Sequence, residues 1–159
     1  MVSQATVQAK VDAGFAKAAA AIGVSSQWYR PTSPTNPLAA GNLLGTLQVL
    51  FDTNASLAQR NPRQRQKPEE WYGAFDTSGV AIGDYLVTPT PETLFITAMD
   101  LFRPARFVLT NQIVDIHAPG TMPGIGLVPG YGGDIRPNET VVASGWPASL
   151  ILGAAPRGR

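Results

Sequence analysis

The sequence predicts a mainly β fold: a small barrel or two-layer sandwich of about six or seven strands, with one N-terminal helix and extended Pro/Gly-rich arms. Three observations carry this. Between Trp71 and His117 four β-type runs follow one another, Trp71 to Asp76, Asp84 to Thr88, Thr93 to Met99 and Arg106 to His117, each closed by Gly, Pro or Asp. That is a meander pattern. Within the last run Phe107 and Leu109 alternate with Val108 and Thr110, the period of two that puts one strand face in a core and leaves the other partly wet. Only one stretch, at the N-terminus, has helical periodicity.

From Ser3 to Ile22 the apolar residues Val7, Val11, Phe15, Ala18 and Ile22 recur at spacings of three and four. Ser3 is placed to cap the start and Gly23 to end the helix. The stripe is thin and rich in alanine, so this helix needs a surface to lie on, either its own barrel or a neighbouring subunit. Val24 to Arg30 is predicted as a strand ending in the aromatic pair Trp28 and Tyr29. The segment after it cannot be a central strand, because Pro31, Pro34 and Pro37 remove ladder donors and favour an extended, polyproline-like arm. Leu43 to Thr53 returns to strand character, with Leu47, Val49 and Phe51 alternating against Gln48, Leu50 and Asp52.

Asn54 to Glu70 is the most polar part of the chain. Arg60, Arg63, Arg65 and Lys67 stand close together there, and Pro62 and Pro68 interrupt any regular helix. Such a stretch can track phosphates, but no aromatic residue is interleaved to stack bases and Glu69 and Glu70 offset the charge. A solvated hairpin loop or an inter-subunit ion-pairing arm accounts for it better. Ala118 to Gly133 is a second low-charge arm. Its Gly124-Ile125-Gly126 lacks the following helix that a dinucleotide fingerprint requires. A short strand, chiefly Thr140 to Ala143, precedes Gly145, Trp146 and Pro147 and an apolar run from Ala148 to Leu152. An apolar end of this kind suggests docking or a longer native chain. The organisation is thus a helix over 1–23, a β core over 24–117 and an arm with a last strand over 118–159, in one domain.

Composition narrows the function classes. The 159 residues include no cysteine, which rules out disulfides and thiolate metal sites. Only 14% are charged and the formal net charge is +1, against roughly 25% charged residues in typical soluble domains. Sixteen glycines and fourteen prolines make up nearly a fifth of the chain. Low charge with Pro/Gly arms suits a subunit whose surface is covered by neighbours as well as it suits a loop-rich monomer. No apolar run reaches the roughly 18 residues of a membrane span, and the N-terminus reads as neither a signal nor a transit peptide. No membrane partner is expected, and synthesis in the cytosol is.

Catalytic signatures are sparse. His117 is the single histidine, which excludes metal sites built on several imidazoles. No serine sits in a nucleophile-elbow turn. Asp76 and Asp84 fall in turns, where acids serve backbone hydrogen bonds, and Asp115 beside His117 is a candidate buried structural pair. Catalytic residues, metal ligands and cofactors are therefore expected to be none. Trp28, Tyr29, Trp71, Tyr72 and Trp146 are read as core or interface anchors in preference to a sugar-stacking platform. The residues expected at an interface are Val7, Val11, Phe15, Trp28, Tyr29, Arg63, Arg65, Trp146 and Leu150.

The order of an N-terminal helix, WYRPTSPTNPL, WYGAFDTSG, GDYLV, the TLFITA run with LFRPARFVLTNQIVDI, then YGG and GWPASLIL resembles a family of small virion proteins encoded in tailed-phage and prophage structural gene clusters. The resemblance spans about Val11 to Leu152. It implies a non-enzymatic structural subunit of a bacteriophage tail, in a ring associated with the tail tube or baseplate, joining its neighbours through arms and β-edge contacts. The implied partners are copies of itself in a ring, other tail or neck proteins, and DNA passing through the lumen. The implied location is the virion tail, after synthesis in the bacterial host cytoplasm. A head-tail joining (neck or connector) protein is the alternative within that class. From other classes, a single-stranded nucleic-acid-binding barrel and a polysaccharide-cleaving enzyme stay open.

Overall fold

The computed structural model describes residues 3–52, 70–118 and 139–150. Helix α1 (Gln4–Ile22) is followed by β1 (Val24–Tyr29), β2 (Leu43–Asp52), β3 (Glu70–Ala74), β4 (Tyr85–Val87), β5 (Thr93–Ala98), β6 (Ala105–Leu109), β7 (Gln112–Ala118) and β8 (Thr140–Ala148). Six strands close an antiparallel barrel in the order β1-β2-β3-β6-β5-β4, and β7 and β8 form a separate two-stranded sheet. The fold is the mainly β barrel with one N-terminal helix that the sequence predicts.

Strand periodicity builds the barrel interior. Val49, Leu86, Leu94, Ile96 and Phe107 are fully enclosed, and Phe75 and Ala105 join them. Each of these side chains larger than alanine contributes about 1.5–3 kcal/mol by leaving water. Phe107 is the centre, with ring centroids 5.6 Å from Phe51 and 5.8 Å from Phe75. Its ring lies over Gly73 so closely that a β-carbon there would collide with Phe107 Cε2. β3 thus tolerates only a bare backbone at this point.

Helix α1 is capped as its sequence predicts. The Ser3 hydroxyl accepts the Thr6 amide at 3.2 Å, and the Gly23 N–H closes on the Ala19 carbonyl at 2.7 Å. The helix lies along β2 and β3 of its own barrel. Ala19 is its one buried residue, with Val11 and Phe15 half-buried and Val7 exposed. At its N-terminal half Gln8 accepts the Phe102 amide at 2.8 Å, which ties the β5–β6 loop to the helix.

Two strand boundaries differ from expectation. The run Arg106 to His117 is two strands in two sheets. Thr110 spends its N–H and its hydroxyl on the Thr93 carbonyl, at 2.9 and 2.8 Å, while the Asn111 N–H already bonds the Ala148 carbonyl of the other sheet. The chain changes sheets between these two residues. The last strand extends beyond Thr140 to Ala143, reaching Ala148, because Gly145 takes φ +74° at a bulge that a β-carbon would strain. The register shifts place an extra residue in β8 opposite Val114–Ile116 and another opposite Ile116–His117, so β7 alternates regularly while β8 bends.

Gly73→Ala is expected to destabilise the chain by about 1–3 kcal/mol, the usual cost of overpacking. A smaller side chain at 107 would relieve the collision. Urea unfolding of Gly73→Ala, Phe107→Leu and the double variant checks this: the double variant should lose clearly less than the two single losses combined, and strict additivity would refute the contact.

Candidate interaction surface

At one end of the barrel, Asp84 sits 2% exposed. The Arg30 guanidinium grips it with two bonds, Nε to Oδ1 at 2.8 Å and Nη2 to Oδ2 at 2.7 Å. The Trp28 indole N–H donates to Oδ2 at 2.7 Å and the Ala81 amide at 2.9 Å. Arg30 also stacks 5.5 Å from the Trp28 ring centroid. Burial pushes the Asp84 carboxyl upward, but the bonds from Arg30, Ala81 and Trp28 outweigh it and hold the group below its usual range. All four donors serve structure. Asp76, the other turn acid, is exposed and accepts the Ser78 amide at 2.9 Å, a turn bond of the expected kind.

Next along the chain, Tyr85 carries the connection outward. Burial pushes its phenol up, so the hydroxyl stays a donor, and it bonds the Pro147 carbonyl of β8 at 3.0 Å. Its ring also meets Trp146, with centroids 6.3 Å apart. Trp146 in turn donates its indole N–H to Pro34 O at 2.6 Å, and Pro34 O also accepts the Ser144 amide at 3.1 Å. The Asn36 amide completes a short parallel bridge by donating to Ser144 O at 2.8 Å. The proline arm is therefore a strap along β8. Its far end is fastened by Asn42, buried, whose side-chain amide donates to Pro37 O at 3.0 Å. At the base of the hairpin, Asn111 bonds both backbone groups of Leu150 at 2.9 Å.

What this clamp holds in place is apolar. Ile113 is 75% exposed, Ile116 54%, and Val141 and Val142 51% each, with Leu150 beside the base of the hairpin. Ile113 and Ile116 lie on opposite faces of β7 by its regular alternation. Between the hairpin base and the barrel rim runs a groove of about 590 Å³, bounded by Leu38, Thr93, Asn111, Ile113 and Pro147 among others. Apolar side chains therefore stand exposed on both faces of the hairpin.

The expected interface residues fall in several places. Trp146 and Leu150 belong to the hairpin and its base. Trp28 is committed to the Asp84 node, and Tyr29, half-buried, donates its hydroxyl to Gln27. Val7, Val11 and Phe15 belong to α1 on the other side of the barrel. Arg63 and Arg65 lie outside the described residues. The hairpin's Ile113, Ile116, Val141 and Val142 were not singled out by sequence. The usable signal was that β7 and β8 are apolar at successive positions, which a single two-stranded layer cannot bury. Asp115 and His117 do not form a buried pair: both are exposed, Asp115 accepts the Gly145 amide at 2.7 Å and His117 faces Glu139 at 3.5 Å. Among the described residues the hairpin has no second layer over them.

Among the described residues no cluster of three or more His, Asp or Glu is arranged to hold a metal, and no helix is long and apolar enough to cross a membrane. Compared with protein-family models, characterised proteins and solved structures, the chain matches none.

Two predictions follow from the clamp. Asp84→Asn should cost about 2 kcal/mol near neutral pH, the scale of lost hydrogen bonds to a charged group, already reduced for the partly exposed arginine. Because the folded carboxyl lies below its unfolded value of about 3.9, its contribution is present above that pH and fades as pH falls through the folded value. Urea midpoints from pH 7 down to pH 2 should therefore converge for the two proteins in acid; a constant gap would contradict the linkage. Tyr85→Phe should leave the barrel intact and raise hydrogen exchange of the β7–β8 amides by about fivefold, for a bond worth about 1 kcal/mol. Unchanged exchange would remove Tyr85 from the clamp.

Proposed function

We propose that this chain is a non-enzymatic structural subunit of a tailed-phage virion, a ring component associated with the tail tube or baseplate. The virion class rests on the sequence resemblance. The observation that supports a subunit role is the apolar β7–β8 hairpin, held against the barrel by Tyr85, Trp146 and the proline strap while Ile113, Ile116, Val141 and Val142 stay exposed. Among the described residues the edge of β7 away from β8 is also unpaired, and an open edge with apolar neighbours suits contact with another chain. The mechanism is geometric: the barrel supplies a stiff body, the hairpin and arms bind its neighbours, and closure of the ring leaves a lumen for DNA.

The test is the mass of the full chain by light scattering with negative-stain imaging of the same fractions. A discrete oligomer with a central opening is expected. A monomer that stays soluble and monodisperse at high concentration, and that fails to bind particles of a tailed phage lacking the corresponding protein, would overturn the reading.

A further inference from the structure

The ladder of β7 is used on one side only. Its inner edge pairs with β8 from Gln112 to Ala118, whereas its other edge meets no strand among the described residues, and the outer edge of β8 is already taken at Ser144 by the strap. A row of unpaired amides and carbonyls is a template for another strand. Ile113, Val114 and Ile116 are β-branched, the residue type that sits best on a pleated surface. The hairpin by itself has two strands, fewer than the three or more that make a sheet stable.

The side chains of β7 fit one partner strand in particular, which is β7 itself. Because β7 alternates regularly, Asp115 and His117 share one face, and Val114, Ile116 and Ala118 share the other. When two copies of β7 pair antiparallel about a two-fold axis normal to the sheet, like faces coincide and the strands can be centred on any residue. Centring on Asp115 sets acid against acid, and centring on His117 sets imidazole against imidazole, whereas like charges directly opposite are unfavourable. Centring on Val114 sets Asp115 against Ile113. Centring on Ile116 sets Asp115 against His117 of the second copy, twice over, with Ile116 beside Ile116 and Val114 beside Ala118 on the other face. This register alone pairs both polar groups.

Both groups are exposed and free to be paired. Asp115 Oδ1 accepts the Gly145 amide at 2.7 Å, which steadies the carboxylate and leaves Oδ2 for another donor. His117 Nδ1 lies 3.5 Å from Glu139, which leaves Nε2 for the carboxylate of the second copy. An imidazole between two carboxylates is favoured in its charged form. The antiparallel arrangement also separates the two bodies. Ile116 is four residues from Gln112 at the hairpin base, so at about 3.4 Å per residue the two bases stand about 27 Å apart along the strands.

We infer that two copies of this chain pair antiparallel through the free edges of β7, centred on Ile116, to form one four-stranded sheet across a two-fold axis. The contact is self-complementary and closes at two copies. It does not rest on the ring reading: it uses the edge of β7 and leaves the apolar faces of the hairpin for neighbours in a ring.

Charge complementation of the full chain tests the register. Asp115→Lys and His117→Asp each place like charges opposite one another in a self-pair, so each variant alone should self-associate about tenfold more weakly than wild type by light scattering. Mixed in equal amounts they present opposite charges at both pairs, and the dimer should return. Self-association of either variant at the wild-type level, or a mixture no stronger than its components, overturns the pairing.

Crosslinking gives a second measurement that leaves the charges untouched. The chain has no cysteine, so Ile116→Cys introduces a single thiol that lies opposite itself, at a Cα separation of about 4.5–5.5 Å that a disulfide spans. Ile113→Cys is the control: position 113 is 75% exposed against 54% at 116, yet its two copies would stand about 20 Å apart. Mild oxidation should link Ile116→Cys into dimers and leave Ile113→Cys largely monomeric. Equal linkage at both positions, or none at 116, overturns the pairing, and rings of the wild-type chain would survive that result. Linked dimers with nothing larger at any concentration would keep the pairing and overturn the ring.

Discussion

A carboxylate removed from water is tolerable only if protein donors replace the whole of its hydration, and Asp84 meets that condition by joining parts of the chain far apart in sequence. Trp28 and Arg30 lie 56 and 54 residues away from it. They stand at the C-terminal end of β1, and Asp84 immediately precedes β4. The β1–β4 seam closes the barrel, yet it consists of three residue pairs, Gln27 with Val87, Trp28 with Leu86 and Tyr29 with Tyr85. Every other strand-strand contact in the cylinder joins elements that are sequence neighbours or reached by longer ladders. The shortest long-range ladder is thus the one reinforced by a bidentate ion pair, an indole bond and a cation–π contact. The seam governs more than the barrel. Tyr85, its neighbour in sequence, carries the hairpin, and Arg30 leads directly into the proline strap. Loosening Asp84 would disturb the closure and the attachments of the hairpin through Tyr85 and the strap, leaving those through Asn111.

That dependence also explains which features could be read from the sequence. Helix α1 and its caps were legible because a local period of 3.6 and a Ser three residues before a threonine amide act within a few residues. Strands β1 to β6 were legible from alternation, since one side of each faces Val49, Leu94, Phe107 and their neighbours. Asp84 looked like a turn acid of the same kind as Asp76, and no local feature separates the two. What distinguishes them is a partner pair more than fifty residues away. The change of sheet at Thr110–Asn111 was hidden for the same reason: the run through it is continuous in propensity, and it breaks only because Thr93 and Ala148 compete for adjacent amides. Of the expected interface residues, Trp146 proved an anchor of the hairpin, while the hairpin's exposed aliphatic residues read as one more buried strand. A pattern of alternation says that a face is apolar; it does not say whether the same chain covers it.

The hairpin sets a problem of its own. Among the described residues the hairpin has no second layer and its β7 edge is unpaired; two strands alone are marginal in water, and an apolar sheet with a free edge invites indiscriminate pairing. The structure counters both at named positions. Stability comes from outside the hairpin, through Tyr85, Trp146, Asn111 and the strap. Indiscriminate pairing is opposed by the two bulges that bend β8, by the strap that occupies its outer edge at Ser144, and by Asp115 and His117, which interrupt the apolar row of β7 with polar groups. Bulges, covered edges and charges in an edge strand are the devices by which soluble proteins restrict such strands to one partner.

These devices bear on how a subunit could remain separate until it meets its neighbour. A hairpin whose geometry is fixed before contact binds without the entropic cost of ordering it, and it discriminates by shape because it cannot adjust to a poor fit. The β5–β6 loop is preset in the same way, with Phe102 confined to a strained backbone at φ +60° and its amide bonded to Gln8. The barrel seam, through Asp84 and Tyr85, thus sets where the hairpin stands without touching the side chains it leaves exposed.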